Sequence, residues 1–239
     1  MLVLAEAKAS AHNSQKTPTH TILIQTVASN LKKTSEHIKT IDKKISELKS
    51  LDKKFSVFGS NDHKYKFNLK ISENEVIKFE NKHRIILPDS YREFILKFGN
   101  GGCGPDYGLL KIETGILDIP HYPEESDIIK LSNVFRFDNF WNLENFPDDD
   151  YQLWEKEYED SKWSDGMLRI CHQGCGVFLN LVITGKERGN IWVDDRVSDG
   201  GIYPVNHHKG KSKTDFTEWY LNWLNESIEK TTGNNVYKK

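Results

Sequence analysis

The sequence predicts an α+β fold, in which helices precede and follow a mainly antiparallel sheet and a long helical extension lies at the N-terminus. Three observations lead to this prediction. Residues 26–58 repeat apolar side chains at helical spacing, residues 167–193 contain short β-rich runs separated by glycine turns, and residues 214–228 place aromatic side chains on one helical face.

The N-terminal part divides into a polar segment and a helix. Residues 1–25 are small and polar, and we expect them to be flexible. Residues 26–58 predict one amphipathic helix, which either packs on its own domain or pairs with a second copy in a homodimer. Its apolar stripe comprises Val27, Leu31, Ile38, Ile41, Ile45, Leu48 and Phe55.

Two further helices follow a turn-rich linker at 58–65. Ser72 and Glu75 have the spacing of a capping box, which predicts that a helix starts there. Pro88 suits the first turn of the next helix, and Gly99 is a natural stop.

The second half predicts strands. Residues 107–112 indicate a short strand, and residues 149–159 indicate a helix with Leu153, Trp154 and Tyr158 turned inward. Three β-rich runs lie at 167–171, 177–184 and 190–193, and the last two read as an antiparallel hairpin.

The last predicted helix is strongly amphipathic. Thr214 or Asp215 caps it, and a C-terminal tail at 230–239 follows it. Its apolar face comprises Phe216, Trp219, Tyr220, Trp223, Leu224 and Ile228.

Composition narrows the class of protein. No apolar stretch in the 239 residues approaches the ~20 residues of a membrane span, so we expect no membrane association. The N-terminus lacks the basic region of a signal peptide, and three cysteines do not indicate a disulfide framework. We therefore expect a cytoplasmic protein.

The net charge of −2 conceals a split between two regions. Residues 1–70 contain thirteen Lys and six acids, whereas residues 113–165 contain fifteen acids against four bases. Such charge asymmetry carries information about binding partners and not about the fold. The basic N-terminal region lacks Arg and interleaved aromatic residues, so we expect no direct nucleic-acid binding.

The chain resembles the SUKH superfamily, in the branch related to the fungal cell-wall synthesis regulator. The resemblance rests on four stretches in order, LPDSYREFILKFGNGG, GPDYGLL, LRICHQGCGVFLNLVITGKERGNIWVDDR and TDFTEWYLNWLNE, and covers residues 70–229. The positions that match the family pattern, which we interpret as structural, include Leu87, Pro88, Gly101, Gly102, Gly174, Cys175, Gly176, Gly189 and Trp192.

This resemblance implies a SUKH-like domain with helices on one side of a mixed sheet. It also implies a non-enzymatic binding protein, such as an immunity protein that binds and neutralises a cognate polymorphic toxin, often a nuclease. The alternative is a scaffold or regulatory adaptor that acts through protein–protein contacts. The resemblance carries over no catalytic residues and no cofactor.

The segment around Cys175 allows several interpretations. Cys171, His172 and Cys175 could bind a metal, with Cys103, His207 or His208 as the fourth ligand. Cys175 could instead be a nucleophile activated by His172, with Asp194 orienting the imidazole. Neighbouring strand residues point to opposite faces, and Cys175 lies between two glycines, so we favour a tight turn in which Cys175 fills a small buried space.

A second polar cluster follows the last β-rich run. Asp194, Asp195 and Asp199 could bind a cation or perform acid–base chemistry, but a strand end followed by turns is the favoured interpretation, with Arg196 as the counter-charge. We therefore expect no metal site and no catalytic residue.

Residues 144–165 interleave acids with aromatic residues. A solvated acidic helix would explain this pattern. A surface that mimics the phosphate backbone of a nucleic acid, and so binds a basic nuclease, would explain it as well. The candidate toxin-binding residues are Asp148, Asp149, Asp150, Trp154, Glu155, Glu157, Tyr158, Glu159 and Trp163.

Overall fold

The computed structural model describes residues 36–118, 127–142, 151–206, 209–210 and 213–233. Within them, six helices and a four-stranded antiparallel sheet confirm the α+β class. The helices are α1 (36–51), α2 (Ser60–His63), α3 (Glu73–His83), α4 (Asp89–Lys97), α5 (Tyr151–Tyr158) and α6 (Phe216–Thr232). The strands are β1 (Leu117–Asp118), β2 (Asp127–Ile128), β3 (Met167–Gly174), β4 (Val177–Val182), β5 (Ile191–Asp195) and β6 (Gly201–Pro204).

The main sheet is a meander in the order β3-β4-β5-β6. The predicted hairpin of β4 and β5 is confirmed, with Leu181 opposite Ile191. The sequence did not predict β6, whose four residues include a glycine and a proline. The strand expected at 107–112 is not formed, because Leu109 makes only isolated bridges, to Gly102 and Cys171. The strand pairs β1–β2, β3–β4, β4–β5 and β5–β6 of the described residues are all antiparallel.

The predicted caps of α3 and α6 are confirmed in detail, whereas α4 starts at Asp89, one residue after Pro88. The backbone N–H of Ser72 donates to the Glu75 carboxylate at 2.8 Å, and the Glu75 N–H donates to the Ser72 hydroxyl at 3.3 Å, which completes the capping box. Asp215 caps α6 by accepting from the N–H of Glu218 at 2.9 Å, whereas Thr214 is buried. No helix among the described residues is long and apolar enough to span a bilayer.

The apolar face of α1 packs on the chain's own core. Ile38, Ile41, Ile45 and Leu48 are at most 7% exposed and belong to the same cluster as the buried residues of α4, α6 and the sheet. The seam on which a homodimer would rest is therefore covered by the chain itself over these residues. Residues 26–35 lie outside the described residues.

Asp52 ends α1 earlier than the sequence indicated. Its carboxylate accepts from Ser56 N and Ser56 Oγ, both at 2.7 Å, from Val57 N at 3.1 Å and from Tyr65 Oη at 2.6 Å. Ser60 Oγ donates to the same carboxylate at 3.2 Å. These bonds turn the chain after residue 51, and Phe55, predicted to continue the helix, adopts a left-handed φ of 53° instead.

Candidate partner-binding surface

The acidic segment is described from α5 onward. Glu155 and Glu159 are exposed and four residues apart, so they share one face of the helix and its end. Glu157 and Asp160 are half-exposed, and both carboxylates pair with the ammonium of Lys162, at 3.2 Å for Asp160. Lys162 carries one positive charge against these two carboxylates, so it compensates them only in part, whereas Glu155 and Glu159 have no ion pair among the described residues. Asp148, Asp149 and Asp150 lie outside the described residues.

Of the predicted aromatic anchors, Tyr158 and Trp163 pack on the fold, whereas the side chain of Trp154 lies outside the described residues. Tyr158 is 1% exposed, so its side chain cannot contact a partner, which corrects its assignment to the binding surface. Trp163 is half-buried, and its indole N–H donates to the Glu157 carbonyl at 2.7 Å. Its ring lies 4.4 Å from that of Trp141, with the Arg136 guanidinium 4.8 Å from its centroid. These contacts hold the acidic segment on a second, smaller aromatic core.

A buried group of four charges lies beneath this segment. Arg196 binds Asp194 with two hydrogen bonds of 2.8 Å, and Arg169 pairs with Asp118 and lies 3.5 Å from Asp194. All four side chains are at most 10% exposed. Arg196 also donates to the Ser164 hydroxyl at 2.8 Å, so the group connects the sheet to the segment before β3.

Arg196 caps the C-terminal end of α5. Its Nη1 atom donates to the carbonyl of Tyr158 at 3.0 Å and to that of Asp160 at 3.1 Å. Carbonyls at a helix C-terminus carry partial negative charge, so a cation there stabilises the helix. The prediction that Arg196 is a counter-charge is confirmed, and the structure adds that it anchors the acidic segment.

Burial and neighbouring charges shift the pKa values of the acidic groups in and around this cluster. Burial alone raises the pKa of Asp194, but the Arg196 charge and hydrogen bonds outweigh it and lower the pKa to about 2. Burial raises the pKa of Asp118, although Arg169 and Arg196 oppose that shift. Burial, with the charge of Asp199 as the next cause, raises the pKa of Tyr158 to about 12. Asp199 itself is exposed and follows the short turn after β5.

The Gly-Cys-Gly turn is a structural feature. Gly174 and Gly176 have the expected positive φ, of 105° and 81°, but the prediction that Cys175 is buried is wrong. Cys175 is exposed and itself left-handed at φ 50°, because the β3–β4 register shifts just before the turn and the turn projects outward. His172 accepts the Gly176 N–H at 3.3 Å, which closes the turn.

The cysteines and His172 have separate surroundings. The Cys171 thiol is buried and donates to the Pro105 carbonyl at 3.2 Å, and burial raises its pKa well above the usual value. The His172 ring stacks on Phe178 at 4.7 Å. Within the described ranges no group of three His, Cys, Asp or Glu could hold a metal. His207 and His208 lie outside these ranges.

The remaining family positions have packing or turn roles. Leu87 and Trp192 are fully buried, and Pro88 precedes α4. A Cβ on Gly102 would lie 2.6 Å from the Lys66 carbonyl oxygen, so this turn requires glycine. Positive φ occurs at Gly101, Gly102 and Gly189.

The chain matches a known protein family. The family model described as SMI1 / KNR4 family (SUKH-1) matches residues 70–222. The chain belongs to this family. No curated protein and no solved structure matches it. SUKH-1 membership is consistent with an immunity or regulator-type binding protein.

Sequence reasoning missed two parts of the site. The sequence does not identify Asp118 and Arg169 as an ion pair, because only the fold brings these two charged residues together. One signal was available for Arg169: it lies within an apolar run, MLRIC, and a charge there needs a buried partner.

Proposed function

We propose that this SUKH-1 protein is a non-enzymatic binding protein that neutralises a cognate protein toxin, in the manner of an immunity protein. The supporting observation is the acidic face of Glu155 and Glu159, which stands on the buried anchor of Arg196. A rigid support lowers the conformational entropy lost on binding, and acidic charge speeds encounter with a basic partner.

The proposed surface differs from the one indicated by the sequence. Glu155 and Glu159 remain its centre, with Trp154 on the same helix and Asp148–Asp150 just before it. Glu157 contributes less charge because Lys162, which it shares with Asp160, compensates part of it, and Trp163 contributes through its half-exposed ring. A basic nuclease toxin is the partner class that this charge fits best.

A charge-reversal experiment tests the proposal. We expect Glu155→Lys/Glu159→Lys to slow association with the cognate toxin about tenfold at low salt, because exposed charges act mainly on encounter. Glu226→Lys/Glu229→Lys on α6 is the matched control, since it makes the same change of charge on another helix. Surface plasmon resonance gives the rates, and survival of cells that express the toxin gives the biological result.

The salt dependence provides a second measurement. Wild-type association should slow as ionic strength rises, since the Debye length falls from ~10 Å at 0.1 M to ~3 Å at 1 M. Equal rates for the α5 and α6 variants would place the toxin interface elsewhere. A toxin gene beside the gene for this chain would favour neutralisation over the scaffold or adaptor role.

A further inference from the structure

A groove is lined by residues that are not part of the acidic face. One wall is the connection between α3 and α4, and the other is the turn that joins β4 to β5. Arg188 joins the walls, because its Nη2 atom donates to the carbonyls of Ile86 and Leu87, both at 3.0 Å. The groove is open and measures about 700 Å³, which suits an extended peptide better than an enclosed small molecule.

The groove has an apolar wall. Ile86 is 70% exposed although it lies between two buried residues, Ile85 at 9% and Leu87 at 0%. Buried Ile183 contributes to the lining from the opposite side. The hydrogen-bonded backbone keeps this large aliphatic side chain exposed to solvent. A partner that covers it buries apolar surface, which lowers the free energy of the complex.

The charge of the groove is positive. Arg84 is exposed, adopts a left-handed φ of 54° after α3, and has no ion pair among the described residues. Arg188 bonds only to neutral carbonyls there, so its charge is also uncompensated. Two neighbouring arginines without an acidic partner favour carboxylate ligands, which guanidinium groups bind with paired hydrogen bonds.

The nearby acids do not cancel this charge. The Glu80 carboxylate is 11% exposed and already accepts from the Arg92 side chain and the Leu87 N–H. Glu187 is 3% exposed and pairs with Lys213 at 3.1 Å.

We propose that this groove binds an acidic peptide segment of a partner protein. An apolar side chain of that segment covers Ile86, and flanking carboxylates bind Arg84 and Arg188. The groove is thus a second docking surface, opposite in charge to the α5 face, and does not depend on the identity of the toxin.

Fluorescence anisotropy with a labelled synthetic peptide tests this proposal. The probe has a central Leu–Phe pair flanked by Glu on both sides, and two companion peptides replace Glu by Lys or Leu–Phe by Gly–Ser. We expect saturable binding of the first peptide, no binding of the Lys peptide, and at least about tenfold weaker binding of the Gly–Ser peptide.

Three variants assign the binding to the groove. Arg84→Glu and Ile86→Asp should each weaken binding of the acidic peptide about tenfold or more, whereas the exposed control Lys97→Glu should change it less than about twofold. Ile86 is largely exposed, so its replacement leaves the fold intact, which circular dichroism verifies. Glu155→Lys/Glu159→Lys should leave peptide binding unchanged, which separates this result from the toxin experiment.

Three results would overturn the proposal. One is the absence of saturable binding by the wild-type protein. Another is an equal loss in Lys97→Glu, which would indicate unspecific charge attraction. The third is tighter, Arg84-dependent binding of single-stranded DNA, which would identify nucleic acid as the occupant.

Discussion

Replacement of Asp52 by Asn tests how α1 is attached to the domain. Asp52 is 2% exposed, and its carboxylate accepts five hydrogen bonds from Ser56, Val57, Ser60 and Tyr65, without a cation among its hydrogen-bond partners. Asn keeps the shape but has one acceptor oxygen. The hydroxyl groups can rotate to accept a bond, whereas the backbone N–H of Ser56 or Val57 would face the new NH₂ group.

The structure gives the size of the effect. Burial raises the pKa of Asp52, but the bond from Tyr65 and those from Ser56 and Val57 outweigh it and lower the pKa from 3.8 to about 2. A shift of that size corresponds to about 2 kcal/mol of stability, and the unsatisfied N–H costs about 1–3 kcal/mol. These figures describe the same bonds, so we expect Asp52→Asn to lower the free energy of unfolding by about 2–3 kcal/mol at pH 7.

The pH dependence has a defined sign. The folded-state pKa lies below the unfolded value, so the ionised carboxylate stabilises the fold above about pH 4, and this stability is lost as the pH falls through about 2. Urea unfolding of both proteins between pH 7 and pH 2.5 measures the difference, with exposed Asp42→Asn as the control on the same helix. Equal stability at pH 7, or a difference that does not shrink in acid, would refute the reasoning.

Three other predictions concern the core and the site. Arg196→Met should lower the free energy of unfolding in urea by about 3–5 kcal/mol, since buried Asp194 loses both hydrogen bonds from Arg196. The double variant with Asp194→Asn should recover part of the loss, and no recovery would contradict the pairing. Gly176→Val should lower the stability in thermal unfolding by more than about 1 kcal/mol, because its φ is 81° and an added Cβ would lie 3.0 Å from the Val197 side chain. Cys175→Ser should change the stability by less than about 0.5 kcal/mol, because Cys175 is exposed. A larger effect of Cys175→Ser than of Gly176→Val would indicate that Cys175 is buried. Ile41→Ala should cost about 2–5 kcal/mol without changing the molecular mass by light scattering, whereas a halved mass would indicate a homodimer through α1.

Local rules predicted the elements whose signals are local. The capping box of Ser72, the β4–β5 hairpin and the apolar face of α6 each depend on residues that are close in the sequence, and the structure confirms them. The bonds of Arg196 to the carbonyls of Tyr158 and Asp160 span more than thirty residues, so no local pattern reveals them. Cys175 was misjudged for a related reason, since burial depends on where the register shift sends the turn.

The distribution of charge explains why a count of acids along the sequence overstates the binding surface. Asp118 and Asp194 are neutralised inside the fold by Arg169 and Arg196, and Lys162 compensates part of Glu157 and Asp160.

The buried charges therefore contribute rigidity, whereas the field that reaches a partner comes from exposed carboxylates such as Glu155 and Glu159. These two roles make separate measurements possible. Loss of Arg196 should first change stability and the order of α5, whereas loss of Glu155 and Glu159 should change association alone. A protein that bound its partner only through shape would show the first effect without the second.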